Sequence, residues 1–186
     1  MLESNQKYYT IVANSFTGDT KINLQALKNR RNVLISLANL SDAFSRMLSE
    51  PKRFQKGIKT IHKFVVLNYM LTSHLATLAY YLNISLNNYR SKELLPVIEN
   101  TSLYFDQAIH CLQSGDGILA KPSAQVLNSL NEYAASLLDL RKQEILKGQL
   151  ETGTKKLLIE VKSVIDQFNY IFSLAADIAR ICKSYE

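Results

Sequence analysis

The chain has 186 residues, enough for one domain with a substantial core, and 47% of them are hydrophobic against 20% charged. This balance excludes a disordered chain, and the presence of only six Gly and three Pro argues against a fold of many short strands. The net charge of +6 is unevenly placed, because residues 21–63 hold ten Lys or Arg and two acids, which leaves a charge of −2 for the rest. Such a basic segment favours a nucleic acid, a membrane surface or an anionic ligand as neighbour.

The first half of the chain predicts three helices. They cover about residues 2–13, 21–48 and 57–82. The second helix has an apolar stripe at the spacing of one buried helix face. The stripe consists of Val33, Leu37, Leu40, Phe44 and Met47. Pro51 ends this helix, and a short basic loop over 49–56 leads to the third, which is apolar on most sides and typical of a helix in the middle of a bundle.

The second half predicts three more helices. They cover about residues 91–113, 122–147 and 154–183. Apolar residues of the sixth helix alternate spacings of four and three over nearly four heptads. These residues are Leu157, Val161, Val164, Phe168, Ile171, Ala175, Ile178 and Cys182. We interpret the pattern as a helix packed inside a bundle, with an intermolecular coiled coil, and hence a homo-oligomer, as the alternative.

Together these patterns predict an all-α, antiparallel bundle of five to six helices that forms a single domain over residues 1–186. The loops are short, so consecutive helices are expected to pack against each other. The N-terminus has no apolar core of a leader peptide. Residues 64–82 lack Asp, Glu, Lys and Arg but hold five polar residues, so we interpret them as a buried helix rather than a membrane span.

Motifs for catalysis are absent from the sequence. It has no glycine-rich phosphate loop, no HExxH and no GxSxG, and its three histidines do not share a metal-chelating spacing. We therefore expect no enzyme, no catalytic residue, no metal and no cofactor, unless Arg46, Asn68 and His74 share one pocket. The cysteines Cys111 and Cys182 are interpreted as reduced, buried thiols. The Lys and Arg residues lack a platform of several aromatic rings, so no nucleic-acid partner is expected.

Among the polar residues that interrupt the apolar runs of the second and third helices, four are candidates for hydrogen bonds between these helices. They are Asn39, Arg46, Asn68 and His74. A buried polar group without a partner costs about 1–3 kcal/mol, so such groups are normally paired. We therefore predict that these side chains connect the second and third helices through hydrogen bonds.

Two blocks of this region form a recognisable pattern. Residues 39–51 read NLSDAFSRMLSEP and follow a basic pair at Arg30 and Arg31. Residues 64–76 read FVVLNYMLTSHLA. In this order the two blocks resemble the fusaric-acid-resistance-type (FUSC) membrane protein family, in its YccS-like branch. The chain departs from the family pattern at Tyr69, where the family often has His, and at Leu75.

The resemblance implies a cytoplasmic domain of a longer inner-membrane transporter of the small-organic-acid efflux type. The domain would lie on the cytoplasmic face of the bacterial inner membrane, with the transmembrane part of the same protein and the anionic membrane surface as partners. Its role would be assembly or regulation. The alternative is a freestanding helical interaction module that binds a protein partner or anionic lipid. The expected binding residues are Arg30, Arg31, Arg46, Lys52, Arg53, Asn68 and His74.

Overall fold

The computed structural model of the chain describes residues 1–18, 24–84, 91–115, 125–148 and 153–184. Helices account for most of these residues and none of them forms a strand, so the predicted all-α bundle is confirmed. The helices are α1 (Leu2–Ser15), α2 (Leu24–Ser49), α3 (Ile58–Ile84), α4 (Leu95–Ser114), α5 (Gln125–Leu146) and α6 (Gly153–Lys183). A 3-10 turn at Lys52–Phe54 connects α2 to α3, and another at Lys92–Leu94 precedes α4.

Residues at the two ends of α4 explain where this helix begins and ends. Pro96 lies in the first turn, where its missing N–H would have no helical partner in any case. Gly115 ends the helix in the left-handed conformation, with φ of 73°, and its N–H donates to the Cys111 carbonyl at 3.0 Å. A side chain at this position would be strained, so glycine sets the end of the helix. The predicted start of α5 at Pro122 lies outside the described residues.

The helix α6 occupies the centre of the bundle and contacts α3, α4 and α5. Every predicted heptad position from Val161 to Cys182 is buried, while the side chain of Leu157 lies outside the described residues. Phe168 is fully buried, and its ring packs edge-to-face with the Phe16 ring at 5.4 Å between centroids. The interpretation of α6 as a bundle helix is therefore confirmed, because the heptad seam is filled by helices of the same chain.

Consecutive helices are antiparallel neighbours in the first part of the chain. Ser4 contacts Ser36 and Asn29 donates to the Lys7 carbonyl, so α1 and α2 run in opposite directions. The same expectation is wrong for α3 and α4, which do not contact each other in the described part of the chain. Both helices pack instead against α1 and α6, which lie between them.

The α2–α3 hairpin extends past the start of α1. Met1 and Leu2 share a cleft with Leu40, and α2 continues beyond that level to Ser49. Among the described helices, α2 contacts only α1 and α3, so its last turns pack on α3 alone. As a result the predicted stripe is buried at its start, at Val33 and Leu37, and only partly buried in its second half.

We call residues 44–63 the hairpin tip. It comprises the end of α2, the Lys52–Phe54 turn and the beginning of α3. Within the described residues, no helix combines the length and the apolar character required to cross a membrane.

Candidate functional site

A buried polar network connects α1 to α3. Asn68 is fully buried, and its side-chain oxygen accepts a hydrogen bond from Asn5 Nδ2 at 3.2 Å. Asn68 Nδ2 donates to the Phe64 carbonyl at 2.9 Å, and the Thr72 hydroxyl donates to the Asn68 carbonyl at 2.8 Å. These bonds satisfy both ends of the amide, so Asn68 has a structural role. Asn5 was missed in the sequence, although it too is a polar residue on an apolar helix face.

The predicted hydrogen-bonded connection between α2 and α3 is wrong. Asn68 pairs with α1, and His74 pairs with α6, where its Nδ1 lies 2.8 Å from Gln167 Oε1 and its ring stacks on Tyr170 at 4.9 Å. Asn39 and Arg46 are exposed on α2. The reason is the rotation of α3 about its axis, which turns Asn68 towards α1 and His74 towards α6 rather than towards α2.

An aromatic contact holds α2 against α3 near the tip. The Phe44 ring packs against His62, with 5.6 Å between ring centroids.

The three polar residues that could have formed one pocket lie apart. Arg46 faces solvent, Asn68 faces α1 and His74 faces α6, so they do not share the pocket that an enzymatic interpretation requires. No three His, Cys, Asp or Glu side chains of the described ranges are grouped so that they could hold a metal ion.

Truncating Asn68 to Ala should lower the free energy of unfolding by about 1–3 kcal/mol, because the buried Asn5 amide would lose its acceptor. Chemical denaturation would measure the loss. Asn39→Ala is the matched control, since that side chain is exposed on α2 and its removal should change stability by less than about 0.5 kcal/mol. Equal effects of the two changes would contradict the structural role.

The two cysteines lie close together, at the ends of α4 and α6. Cys111 and Cys182 are free and buried, as predicted. Burial and then the neighbouring Cys111 raise the pKa of Cys182 to about 12. A buried thiol of this kind is chemically inert at neutral pH, because the reactive thiolate is scarcely populated.

The predicted cations form two separate groups. Arg30 and Arg31 lie in the first turns of α2, whereas Arg46 lies fifteen residues after Arg31, which is about 22 Å along the helix. Six exposed cations surround the hairpin tip, against Glu50 as the one acid of that segment. They are Arg46, Lys52, Arg53, Lys56, Lys59 and Lys63. Within the described ranges, the ion pairs lie in α5 and α6, so none neutralises a cation of the tip.

Side-chain hydrogen bonds hold the turn of the tip in place. Gln55 Nε2 donates to the carbonyls of Leu48 at 2.9 Å and Glu50 at 2.7 Å, so the turn is tied to the end of α2. The Phe54 N–H donates to the Pro51 carbonyl at 2.8 Å. The sequence contains no pattern that predicts the Gln55 contacts.

An apolar cleft lies at the base of the tip. It has a volume of about 490 Å³ and is lined by the start of α1, by Leu40 of α2 and by the last turns of α4. A smaller cavity of about 120 Å³ between α3 and the end of α6 shares Phe64 and Leu112 with it. The larger cleft is within the usual size of small-molecule sites, about 300–1,000 Å³. Among the described residues that line this cleft, Glu3 has the only ionisable side chain, and most of the others offer apolar contact.

Comparison with protein-family models, with curated proteins and with solved structures finds no match. The resemblance of residues 39–51 and 64–76 to FUSC proteins therefore stays a prediction.

Proposed function

We propose that this chain is a non-enzymatic helical domain that docks on an anionic membrane surface through the hairpin tip. The observation that carries the proposal is the set of six exposed cations around one acid, on a part of the hairpin that extends past α1. Each Lys or Arg near an anionic bilayer surface contributes about 1 kcal/mol of attraction. Six cations therefore provide enough attraction for reversible docking.

The tip acts separately from the basic start of α2. Arg31 and Arg46 are about 22 Å apart along the helix, which is more than twice the screening length of about 8 Å at physiological salt. A surface that meets the tip therefore gains little from Arg30 and Arg31. The docking surface is therefore the end of the hairpin and not its whole length.

Other partners fit the tip less well. A second copy meeting it tip to tip would bring like charges together, which is repulsive. A single-stranded nucleic acid would need several stacked rings, whereas Phe54 is the only exposed large aromatic side chain of the tip. Anionic lipids present a flat, diffuse negative charge, and binding to such a surface does not require stacked aromatic rings.

The resemblance to FUSC proteins suggests a setting for this docking, that is, the kind of protein in which it would occur. The two blocks, 39–51 and 64–76, lie on α2 and α3 of the same hairpin. In that setting the chain would be the cytoplasmic domain of an inner-membrane transporter, with a role in assembly or regulation beside its transmembrane part. A gene whose reading frame continues into apolar runs of about 20 residues would support this setting. A reading frame that ends at the limits of this chain would contradict it.

Sedimentation with lipid vesicles tests the docking. The protein should sediment with vesicles that contain phosphatidylglycerol at low salt, and it should be released as salt rises, because exposed charges are screened over about 8 Å at physiological ionic strength. Vesicles of phosphatidylcholine alone are the control and should bind little. Equal binding to both lipids, or binding to phosphatidylglycerol that salt does not weaken, would overturn the proposal.

A further inference from the structure

Two exposed apolar side chains lie in the same segment as the cations of the hairpin tip. Phe54 is 57% exposed and Leu48 is 47% exposed. Scattered exposed apolar residues need no explanation by themselves. These two, however, lie at the same end of the hairpin, because the Gln55 side chain ties the residue after the Lys52–Phe54 turn to the Leu48 carbonyl in the last turn of α2.

The turn presents the Phe54 ring in a defined position. Two hydrogen bonds from Gln55 and one from the Phe54 N–H fix the backbone on both sides of the ring. The guanidinium carbon of Arg53 lies 4.7 Å from the centroid of that ring. Because the turn is already ordered, the ring can meet a partner without the entropic cost of ordering a loop.

A lipid bilayer matches this combination of groups. Its headgroup region takes Lys and Arg at the level of the phosphates and apolar side chains just below them. Arg53 over the Phe54 ring allows the cation to stay with the phosphates while the ring goes deeper. A nucleic acid would leave the aliphatic Leu48 without a role, so the membrane is the better match.

We infer that Phe54 is an interfacial anchor, which inserts into the headgroup boundary of an anionic membrane and adds apolar contact to the docking by the tip cations. The inference rests on the proposed function. It adds to that function the side chain that inserts and the depth that this side chain reaches in the membrane. Docking is then end-on, with the tip in the membrane and the opposite end of the hairpin in solvent.

Fluorescence of a single tryptophan tests the anchor. The chain has no Trp, so Phe54→Trp introduces one reporter at the tip. Its emission should shift to the blue on phosphatidylglycerol vesicles and should be quenched by brominated acyl chains. Tyr80→Trp is the matched control, because Tyr80 is 61% exposed on the same hairpin and lies about 33 Å along α3 from Ile58. Its emission should not change.

A second variant measures the contribution of the ring to affinity. Phe54→Ala should weaken vesicle binding by about tenfold, since it removes most of an apolar side chain that would leave water. The fold loss should be the same at each salt concentration at which binding is still measurable, because the contribution of an apolar ring is not screened by salt. Phe54→Leu should retain most of the binding. Because Phe54 is exposed, neither change should alter unfolding.

The outcomes separate the anchor from the docking. If the protein sediments with anionic vesicles while the Phe54→Trp emission stays unchanged, the anchor is wrong and the electrostatic docking stands. If both tryptophans shift equally, the end-on geometry is wrong and the anchor fails with it. If the protein does not sediment at all, both proposals are overturned. Quenching of Phe54→Trp by single-stranded DNA, with no response to vesicles, would also overturn both.

Discussion

Removing four cations of the hairpin tip should weaken binding to phosphatidylglycerol vesicles by about a thousandfold. The residues to be replaced by Gln are Lys52, Arg53, Lys56 and Lys59. Each contributes about 1 kcal/mol near an anionic surface, so the four together amount to about 4 kcal/mol, and each tenfold change in affinity corresponds to about 1.4 kcal/mol. Vesicle sedimentation over a range of lipid concentrations would measure the change.

Folding should not suffer from these four replacements. All four side chains are exposed, and within the described ranges none forms an ion pair. Substitutions at such positions usually change stability by no more than about 0.5 kcal/mol each. Circular dichroism and thermal unfolding provide the control. A folded variant that still binds like the parent would show that the tip is not the docking surface.

Truncating Phe168 to Ala should lower the free energy of unfolding by about 3–5 kcal/mol, the usual cost of removing a buried aromatic ring. Phe168 has no exposed surface, and its ring packs edge-to-face with the Phe16 ring. Chemical denaturation measures the loss. A variant this much destabilised is a substantial fraction of the way to unfolding, since domains have only about 5–15 kcal/mol in total.

Ile159→Ala is the control for the Phe168 change. Ile159 lies on the same helix but is 61% exposed, so its truncation should cost little. If both changes destabilised the protein equally, α6 would not have the central position that the structure gives it.

The positions of the core residues could be read from the sequence where a helix is buried along most of its length. The alternating spacing in α6 predicts a buried seam, and the residues from Val161 to Cys182 are buried. The same reasoning fails for the second half of α2, since periodicity reveals an apolar face but not the length of the helix that covers it. α1 has only 14 residues, and α2 extends beyond it.

Partners of polar residues were less predictable than their burial. A single amide in an apolar run indicates a buried hydrogen bond, and Asn68 forms one. Which helix supplies the partner depends on the rotation of α3 between α1 and α6, and no local pattern encodes that rotation. For the same reason His74 pairs with Gln167, which is 93 residues away in the chain.

The cations of the candidate site were visible in the sequence, but their grouping was not. A run of basic residues over 21–63 suggests one surface. The rise of the α2 helix divides it, because Arg30 and Arg31 lie far from the tip. The turn that carries Phe54 is held by the Gln55 bonds to the end of α2, which no spacing in the sequence predicts.

Two variants of equal net charge would test the central claim most directly. One removes the four tip cations named above, and the other replaces four exposed lysines outside the hairpin with Gln. These are Lys92, Lys142, Lys147 and Lys162. Each variant lowers the net charge from +6 to +2, so a difference between them reports the position of the charges and not their number.

The measurement is the ratio of the two partition coefficients on phosphatidylglycerol vesicles at low salt. Docking through the hairpin tip predicts that the tip variant binds far more weakly, while the variant with changes outside the hairpin stays close to the parent. If the two variants lost binding to the same extent, attraction would depend on net charge alone, and the hairpin tip would not be a docking surface.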